Sequence, residues 1–273
     1  MASSPKGNDR RRPYQKDKSP SESRRFPRPP ESGGAEWLWG RHAVDAAVAN
    51  PHREGLKRLL AVSGKASHLE EGLGARGLRI EIAEANEIAR LLPTGAVHQG
   101  LALLAEPATE MTLEELADPA EGVLILLDQV GDPQNVGALF RSAAAFGVRG
   151  IIMQDRRAPP LSGALAKAAA GAVDKVPCAR VVNLSRALET LSDLGWRAIG
   201  LAGEAETTLD QAFDGRPVVL VLGSEGEGLR RLVSEHCDLL AAIPMPGGFE
   251  SLNVATAAAI ALYEATRPRR APV

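Results

Sequence analysis

The sequence predicts an α/β protein with two alternating units, the second built on a parallel sheet, behind a polar N-terminal segment expected to be disordered. Three observations predict it. From Trp37 onward, strand-like and helix-like stretches alternate with short breaks. Val123–Asp128 opens with a continuous apolar run of the kind buried on both faces of a parallel sheet. Residues 1–30 contain no Leu, Ile or Val and six prolines, too little apolar surface to offset the entropy of ordering.

The disordered segment is taken as residues 1–36. Residues 1–30 hold nine basic against three acidic side chains, a net +6, which leaves −8 of the overall −2 on the other 243 residues. Such an arm either tethers phosphodiester backbones through counterion release or keeps the chain soluble. Its acids and prolines argue against a mitochondrial presequence.

The first unit, 37–106, reads as a helix at 40–50, a strand at 56–63, a helix at 65–76, a strand at 78–83, a helix at 85–92 and a strand at 98–106. Pro107, Pro119 and several acids mark 107–120 as a linker. The second unit, 121–270, has predicted strands at 123–128, 150–153, 176–181, 196–202, 218–222 and 239–244, with helices between most of them and a closing helix at 252–267. Ligands of such sheets sit beyond the carboxyl ends of the strands, which directs attention to the loops after Leu127, Leu222 and Pro244.

Composition narrows the function classes. With 273 residues, 44% apolar and 24% charged, the chain is neither collagenous nor disulfide-dense. No run approaches the ~18 apolar residues of a membrane helix and no secretory core precedes the folded part, so a cytoplasmic protein without membrane contact is expected. Cys178 and Cys237 match no metal spacing and read as reduced structural thiols, so no metal is expected.

The first loop, Asp128 to Gly137, runs into a helix that Asp132 and Pro133 can start as cap and first residue. Arg141 is the one charge between Asn135 and Val148 in that helix, so it either faces a ligand across a cleft or buttresses an interface. Gly137, one turn earlier, costs about 1 kcal/mol relative to alanine unless something approaches closely, and together the two suggest a cleft wall. The second loop, Gly223-Ser224-Glu225-Gly226-Glu227-Gly228, resembles a phosphate-cradling turn, but its carboxylates would repel a pyrophosphate. It is either an ordinary strand-to-helix turn or a close approach to a neutral or cationic ligand such as S-adenosylmethionine. In the third loop, Ile243 to Val254, Ser251 is a candidate helix cap, and Asn253 either caps or meets a ligand.

Taken in order, DPQNVGALFRSAAAFGV, LVLGSEGEGLRRL and IPMPGGFESLNVATAAAIALYEA resemble the three motifs of the SpoU (TrmH-type) branch of SPOUT RNA 2′-O-ribose methyltransferases. The unit from Trp37-Leu38-Trp39-Gly40 to His98-Gln99-Gly100-Leu101 is similar to the L30e-like RNA-binding domain of the same enzymes. The resemblance implies a C-terminal trefoil knot, a topology that general chain rules would reject. It implies S-adenosylmethionine held by backbone at Gly223, Ile243 and Leu252 near Met245, with Asn135, Arg141, Glu225, Ser251 and Asn253 at catalytic positions. It further implies a homodimer, with the helices bearing Ala143–Ala145 and Ala257–Ala259 available for pairing, and an RNA partner. The implied reaction is 2′-O-methylation of a guanosine in 23S rRNA, in the peptidyl-transferase region. The alternatives are a tRNA guanosine 2′-O-methyltransferase and a non-catalytic ribosome assembly factor.

Enzymes of this kind are often described with the arginine as base. Deprotonating a guanidinium, about 5 or more pKa units above neutrality, costs roughly 7 kcal/mol. Arg141 is therefore expected to clamp a phosphate, with Glu225 aligning it and Asn135 supporting the loop. Arg53, Lys57, Arg58, Arg149, Arg156 and Arg157 are candidates for a positive RNA path. Glu250 and Ala255 depart from the serines common at those positions in the rRNA enzymes.

Overall fold

The computed structural model describes residues 34–74, 76–247 and 251–267. Most of the segment expected to be disordered lies outside them. In chain order the first elements are β1 (Glu36–Trp39), α1 (Arg41–Ala49), β2 (Leu56–Ala61), α2 (Glu70–Gly74), β3 (Ile80–Ile82), α3 (Ala85–Arg90), β4 (Leu101–Ala105) and α4 (Leu113–Ala117). There follow β5 (Val123–Leu127), α5 (Pro133–Ala145), β6 (Gly150–Gln154), α6 (Gly163–Ala168), β7 (Cys178–Val181), α7 (Leu184–Asp193) and β8 (Arg197–Leu201). The last are β9 (Thr207–Thr208), α8 (Leu209–Ala212), β10 (Val218–Leu222), α9 (Arg231–Glu235), β11 (Leu239–Ala242) and α10 (Val254–Thr266).

Two sheets result. The smaller, ordered β1-β4-β2-β3, is mixed, with β4 antiparallel to both β1 and β2. The larger, ordered β7-β6-β5-β10-β8-β11-β9, is parallel at every pairing. Its centre is β5 and β10, Val-Leu-Ile-Leu-Leu beside Val-Val-Leu-Val-Leu, and all ten side chains are buried because helices cover both faces. Ile125, Ile151 and Leu220 pack under α5, α6 and α10, while Leu126, Ile152 and Val221 pack under α4, α7 and α9. Among the described residues no helix is long and apolar enough to cross a membrane.

Four sequence expectations need correction. Glu36, assigned to the disordered segment, already belongs to β1, where it pairs with Ala105. The linker 107–120 contains α4, which buries Leu113, Leu116 and Ala117 in the core of the large sheet. A capping box starts it: Thr112 Oγ1 accepts the Glu115 N–H at 3.3 Å, and the Glu115 carboxylate accepts the Thr112 N–H at 2.9 Å. The helix expected over 65–76 shrinks to a 3₁₀ turn, Ser67–Leu69, and α2, as suits a stretch with glycines at 72, 74 and 77. The closing helix starts at Val254 and is capped by Asn253, not by Ser251.

The two sheets are joined through buried polar contacts. Arg53, 3% exposed, pairs with Asp174 at 3.2 Å and donates to the Glu106 carbonyl at 2.9 Å, while Asn50 donates to the same Asp174 oxygen at 3.2 Å. Burial pushes the Asp174 carboxyl up from its ordinary range, and the Arg53 charge opposes that push. Ala166 of α6 completes the contact by entering the core of the smaller unit.

Candidate active site

The loops after β5, β10 and β11 meet at one rim of the large sheet. Asp132 accepts the N–H groups of Gln134 and Asn135 at 3.3 and 3.2 Å, and Pro133 occupies the first turn, so α5 begins where its residues dictate. That start presents Asn135, whose Nδ2 donates to Glu225 Oε1 at 3.2 Å. Asn253 uses Oδ1 to cap α10, accepting from Ala255 and Thr256 at 3.0 and 3.3 Å. Its Nδ2 is thereby turned toward Glu225 Oε1 at 2.5 Å and Asn135 Oδ1 at 2.9 Å. The Val254 N–H adds a further bond to the same Glu225 oxygen at 3.2 Å. One carboxylate thus ties the second loop to the starts of two 13-residue helices, with its charge at the positive end of α10.

The loop bearing Glu225 closes on itself. Ser224 and Gly228 exchange backbone hydrogen bonds at 3.2 and 3.0 Å. A Cβ on Gly223 would stand 2.2 Å from the Gly228 carbonyl carbon and oxygen and 2.5 Å from the Leu229 nitrogen. Glycine is required there by the returning chain itself. The far end is pinned by Asp128, fully buried at the end of β5, which accepts the Arg230 backbone N–H at 2.9 Å and its Nε at 2.7 Å.

Between these loops lies a cleft of about 650 Å³, within the range of ligand pockets. Gly223, Glu225, Ile243, Met245, Ser251 and Leu252 line it, together with Leu201–Glu204 beyond β8. Its lining includes Glu204, Glu225 and Glu227, and no Lys, Arg or His among the described residues. An acidic, partly apolar cleft disfavours a pyrophosphate and suits a ligand that carries positive charge and no phosphate. S-adenosylmethionine, with its sulfonium and amino groups, meets that requirement.

The structure brings Asn135, Glu225 and Asn253 into direct contact and sets Gly223, Ile243, Met245, Ser251 and Leu252 around the adjoining cleft. Arg141 is not drawn in: it is exposed on α5, outside the cleft lining, with no hydrogen bond or ion pair to the described residues. Nor does Gly137 form a cleft wall. It is buried against α6, where a Cβ would meet that of Ala168 at 2.4 Å and the Ala169 nitrogen at 2.8 Å. Sequence reasoning missed residues 201–204 as cleft lining, although a strand was predicted over 196–202 and the carboxyl-end rule applied at its end too. It also missed the Asp128–Arg230 pair, for which a separation of 102 residues leaves no local signal.

The proposed positive path is reduced as well. Arg53 is buried, Lys57 pairs with Glu106, Arg58 with Glu81 and Arg149 with Glu121, whereas Arg156 and Arg157 are exposed.

Known proteins share this sequence pattern and fold. Residues 122–263 match the model of the SpoU rRNA Methylase family, and residues 37–111 match that of the RNA 2′-O ribose methyltransferase substrate binding domain. The chain is 40% identical over 243 residues to the 23S rRNA (guanosine-2′-O-)-methyltransferase RlmB of Pseudomonas aeruginosa, covering 86% of this chain and 97% of that one. It is 41% identical over 246 residues to a tRNA/rRNA methyltransferase of Synechocystis, covering 85% of this chain and 62% of that longer relative. The AdoMet-bound rRNA methyltransferase from Sinorhizobium meliloti superposes with a TM-score of 0.73 at 25% identity, covering 85% of this chain and 86% of that one. The chain belongs to the SpoU rRNA methylase family, the S-adenosylmethionine-dependent RNA 2′-O-ribose methyltransferases.

Proposed function

We propose that this enzyme methylates the ribose 2′-oxygen of a guanosine in 23S rRNA, in the peptidyl-transferase region, and that it does so in the cytoplasm. The observation that carries the reading is the Asn135–Glu225–Asn253 cluster standing at the rim of a cleft that no Lys, Arg or His lines among the described residues. The RlmB relative, covered over 97% of its length and named a 23S rRNA (guanosine-2′-O-)-methyltransferase, supports the choice of substrate.

When bound, S-adenosylmethionine supplies an electrophilic methyl group for in-line displacement. Gly223, Ile243 and Leu252 would hold it through backbone, with Met245 and Ser251 lining the same cleft. The task left to side chains is to orient the ribose hydroxyl and assist loss of its proton. Glu225, braced by two asparagines, aligns the catalytic groups. Arg141 binds the phosphate next to the target ribose by a bidentate contact.

Because Arg141 stands outside the cleft of its own chain, we assign the complete site to a homodimer. Ile260 and Tyr263 of α10, 39% and 58% exposed, lie on the helix that packs against α5 and support pairing through these two helices. We also assign the L30e-like fold to the smaller unit, with RNA recognition as its task, and a trefoil knot to the segment that carries the second and third loops. The insertion of β10 between β5 and β8 supports such threading.

The test is to incubate the protein with methyl-labelled S-adenosylmethionine and unmodified 23S rRNA or tRNA, then digest and identify the labelled nucleoside. Labelled 2′-O-methylguanosine from rRNA alone is expected. Label from tRNA alone refutes the substrate assignment. Label from neither RNA nor ribosomal precursor particles refutes the catalytic reading and favours an assembly factor.

A further inference from the structure

On the other face of the large sheet, beside the same rim, α7 and α9 enclose a groove of about 880 Å³. Its polarity is opposite to that of the cleft. Among the described residues Arg186, Arg230, Arg231 and His236 line it against one carboxylate, Glu189. Arg156 and Arg157 follow β6 after Asp155, and the last residue of that strand, Gln154, also lines the groove. We propose that this groove holds the phosphodiester backbone of the RNA strand flanking the target nucleotide, a proposal that rests on the RNA methyltransferase reading above.

Three observations carry it. First, residues 229–234 form a wall with the cleft on one side and the groove on the other: Leu229 and Ser234 line the cleft, and Arg230, Arg231, Leu232 and Val233 line the groove. Arg230 bonds Asp128 through Nε at 2.7 Å and reaches Gln154 Oε1 through Nη2 at 3.4 Å, which fixes the groove side of that wall. A polyanion arriving at that wall is repelled on one side and attracted on the other, which keeps it out of the cofactor cleft.

Second, the cations are available. Arg186 has no side-chain partner among the described residues, and Arg231, 77% exposed, has only Glu235 one turn away. An exposed helical pair of that kind is worth little, so exchange of the carboxylate for a phosphate is cheap. Third, Val182 and Leu232 are 67% and 55% exposed beside these arginines. They offer an aliphatic surface on which sugars can rest between phosphates. Contacts of this type set position without reading sequence.

The test compares the full-length enzyme with the double variant Arg186→Gln, Arg231→Gln, and with a control double variant, Lys175→Gln, Arg216→Gln, whose charges precede β7 and β10 at the opposite, amino-terminal ends of the strands. RNA affinity is measured by filter binding on unmodified 23S rRNA across a salt series, S-adenosylmethionine affinity by calorimetry, and kcat and KM by methyl transfer. Expected for the groove variant is a rise of about tenfold in RNA Kd and KM near 0.1 M salt. Its log K against log salt slope should be shallower by about 1.4, as for two lost single-strand phosphate contacts. Its cofactor affinity and kcat should stay within twofold.

An unchanged RNA Kd and salt slope overturns the proposal, and so does an equal loss in the control, which would mean bulk charge alone. Because binding is measured apart from turnover, a protein that binds rRNA through the groove without methylating it overturns the catalytic reading and leaves the groove supported.

Discussion

Glu225 offers the sharpest separation between holding and reacting. Its Oε1 accepts from Asn135 Nδ2, Asn253 Nδ2 and the Val254 N–H at 3.2, 2.5 and 3.2 Å. The site is exposed, so water competes, and each bond is worth about 1 kcal/mol rather than the larger value of a buried charge-assisted bond. Glu225→Ala removes all three, about 3 kcal/mol of alignment, and should lower kcat/KM by on the order of 100-fold. Glu225→Gln keeps an oxygen at the same reach and loses the charge assistance, about half of that energy, for a loss of roughly tenfold. The assay is methyl transfer to 23S rRNA under saturating cofactor, with cofactor affinity and Tm measured on each variant. If the glutamine variant falls a thousandfold with affinity and Tm intact, the carboxylate moves the proton itself, and its reading as a brace is refuted.

Arg141→Lys keeps the charge and loses the fork, so kcat/KM for RNA should fall; undiminished turnover with unchanged RNA affinity rules out a bidentate clamp. Gly137→Ala should destabilise the fold by about 1–3 kcal/mol through overpacking against α6, read as a lower urea midpoint, with little change in cofactor affinity. Asp174→Ala strands Arg53 in the interface between the sheets and should cost about 3–5 kcal/mol, a fall in Tm on the order of 10 °C, which a wild-type melting curve in the variant would disprove. Asp214 is held at about 2 from an ordinary 3.8, chiefly by the Arg216 side-chain hydrogen bond. Its folded value lies below its unfolded one, so its contribution is present above about pH 4 and lost as pH falls through 2. Asp214→Asn should therefore lower stability at neutral pH by less than about 1 kcal/mol, the exposed pair being screened, and the difference from wild type should vanish in acid.

The large sheet was legible because its strands advertise themselves. Val123–Leu127 and Val218–Leu222 are apolar at every position, which suits only strands covered on both faces, and they turned out to be adjacent at the centre. The smaller elements were less so. Thr112 to Ala117 carries a capping box and an apolar triplet at helical spacing, but the prolines at 107 and 119 drew the reading toward a linker. Arg53 looked like a surface cation because its partner is 121 residues away and on the other unit. No window of sequence contains both halves of such a pair.

The same distinction governs the site. Asn135, Glu225 and Asn253 could each be singled out from its own loop, yet their mutual bonding depends on strand order, which no loop encodes. β10 inserts beside β5 in a register that sets Leu222 opposite Leu127, and the Asp128 N–H continues that ladder to the Leu222 carbonyl at 2.8 Å. Asp128 and Gly223 therefore emerge side by side, Asp128 takes hold of Arg230, and the loop between Gly223 and Arg230 has both ends fixed while Glu225 projects from its middle. A slip of one residue in that register would send Asp128 to the opposite face and release the loop. The precision of the Asn135–Glu225–Asn253 cluster thus rests on a buried acid at a strand end as much as on the three side chains that meet there.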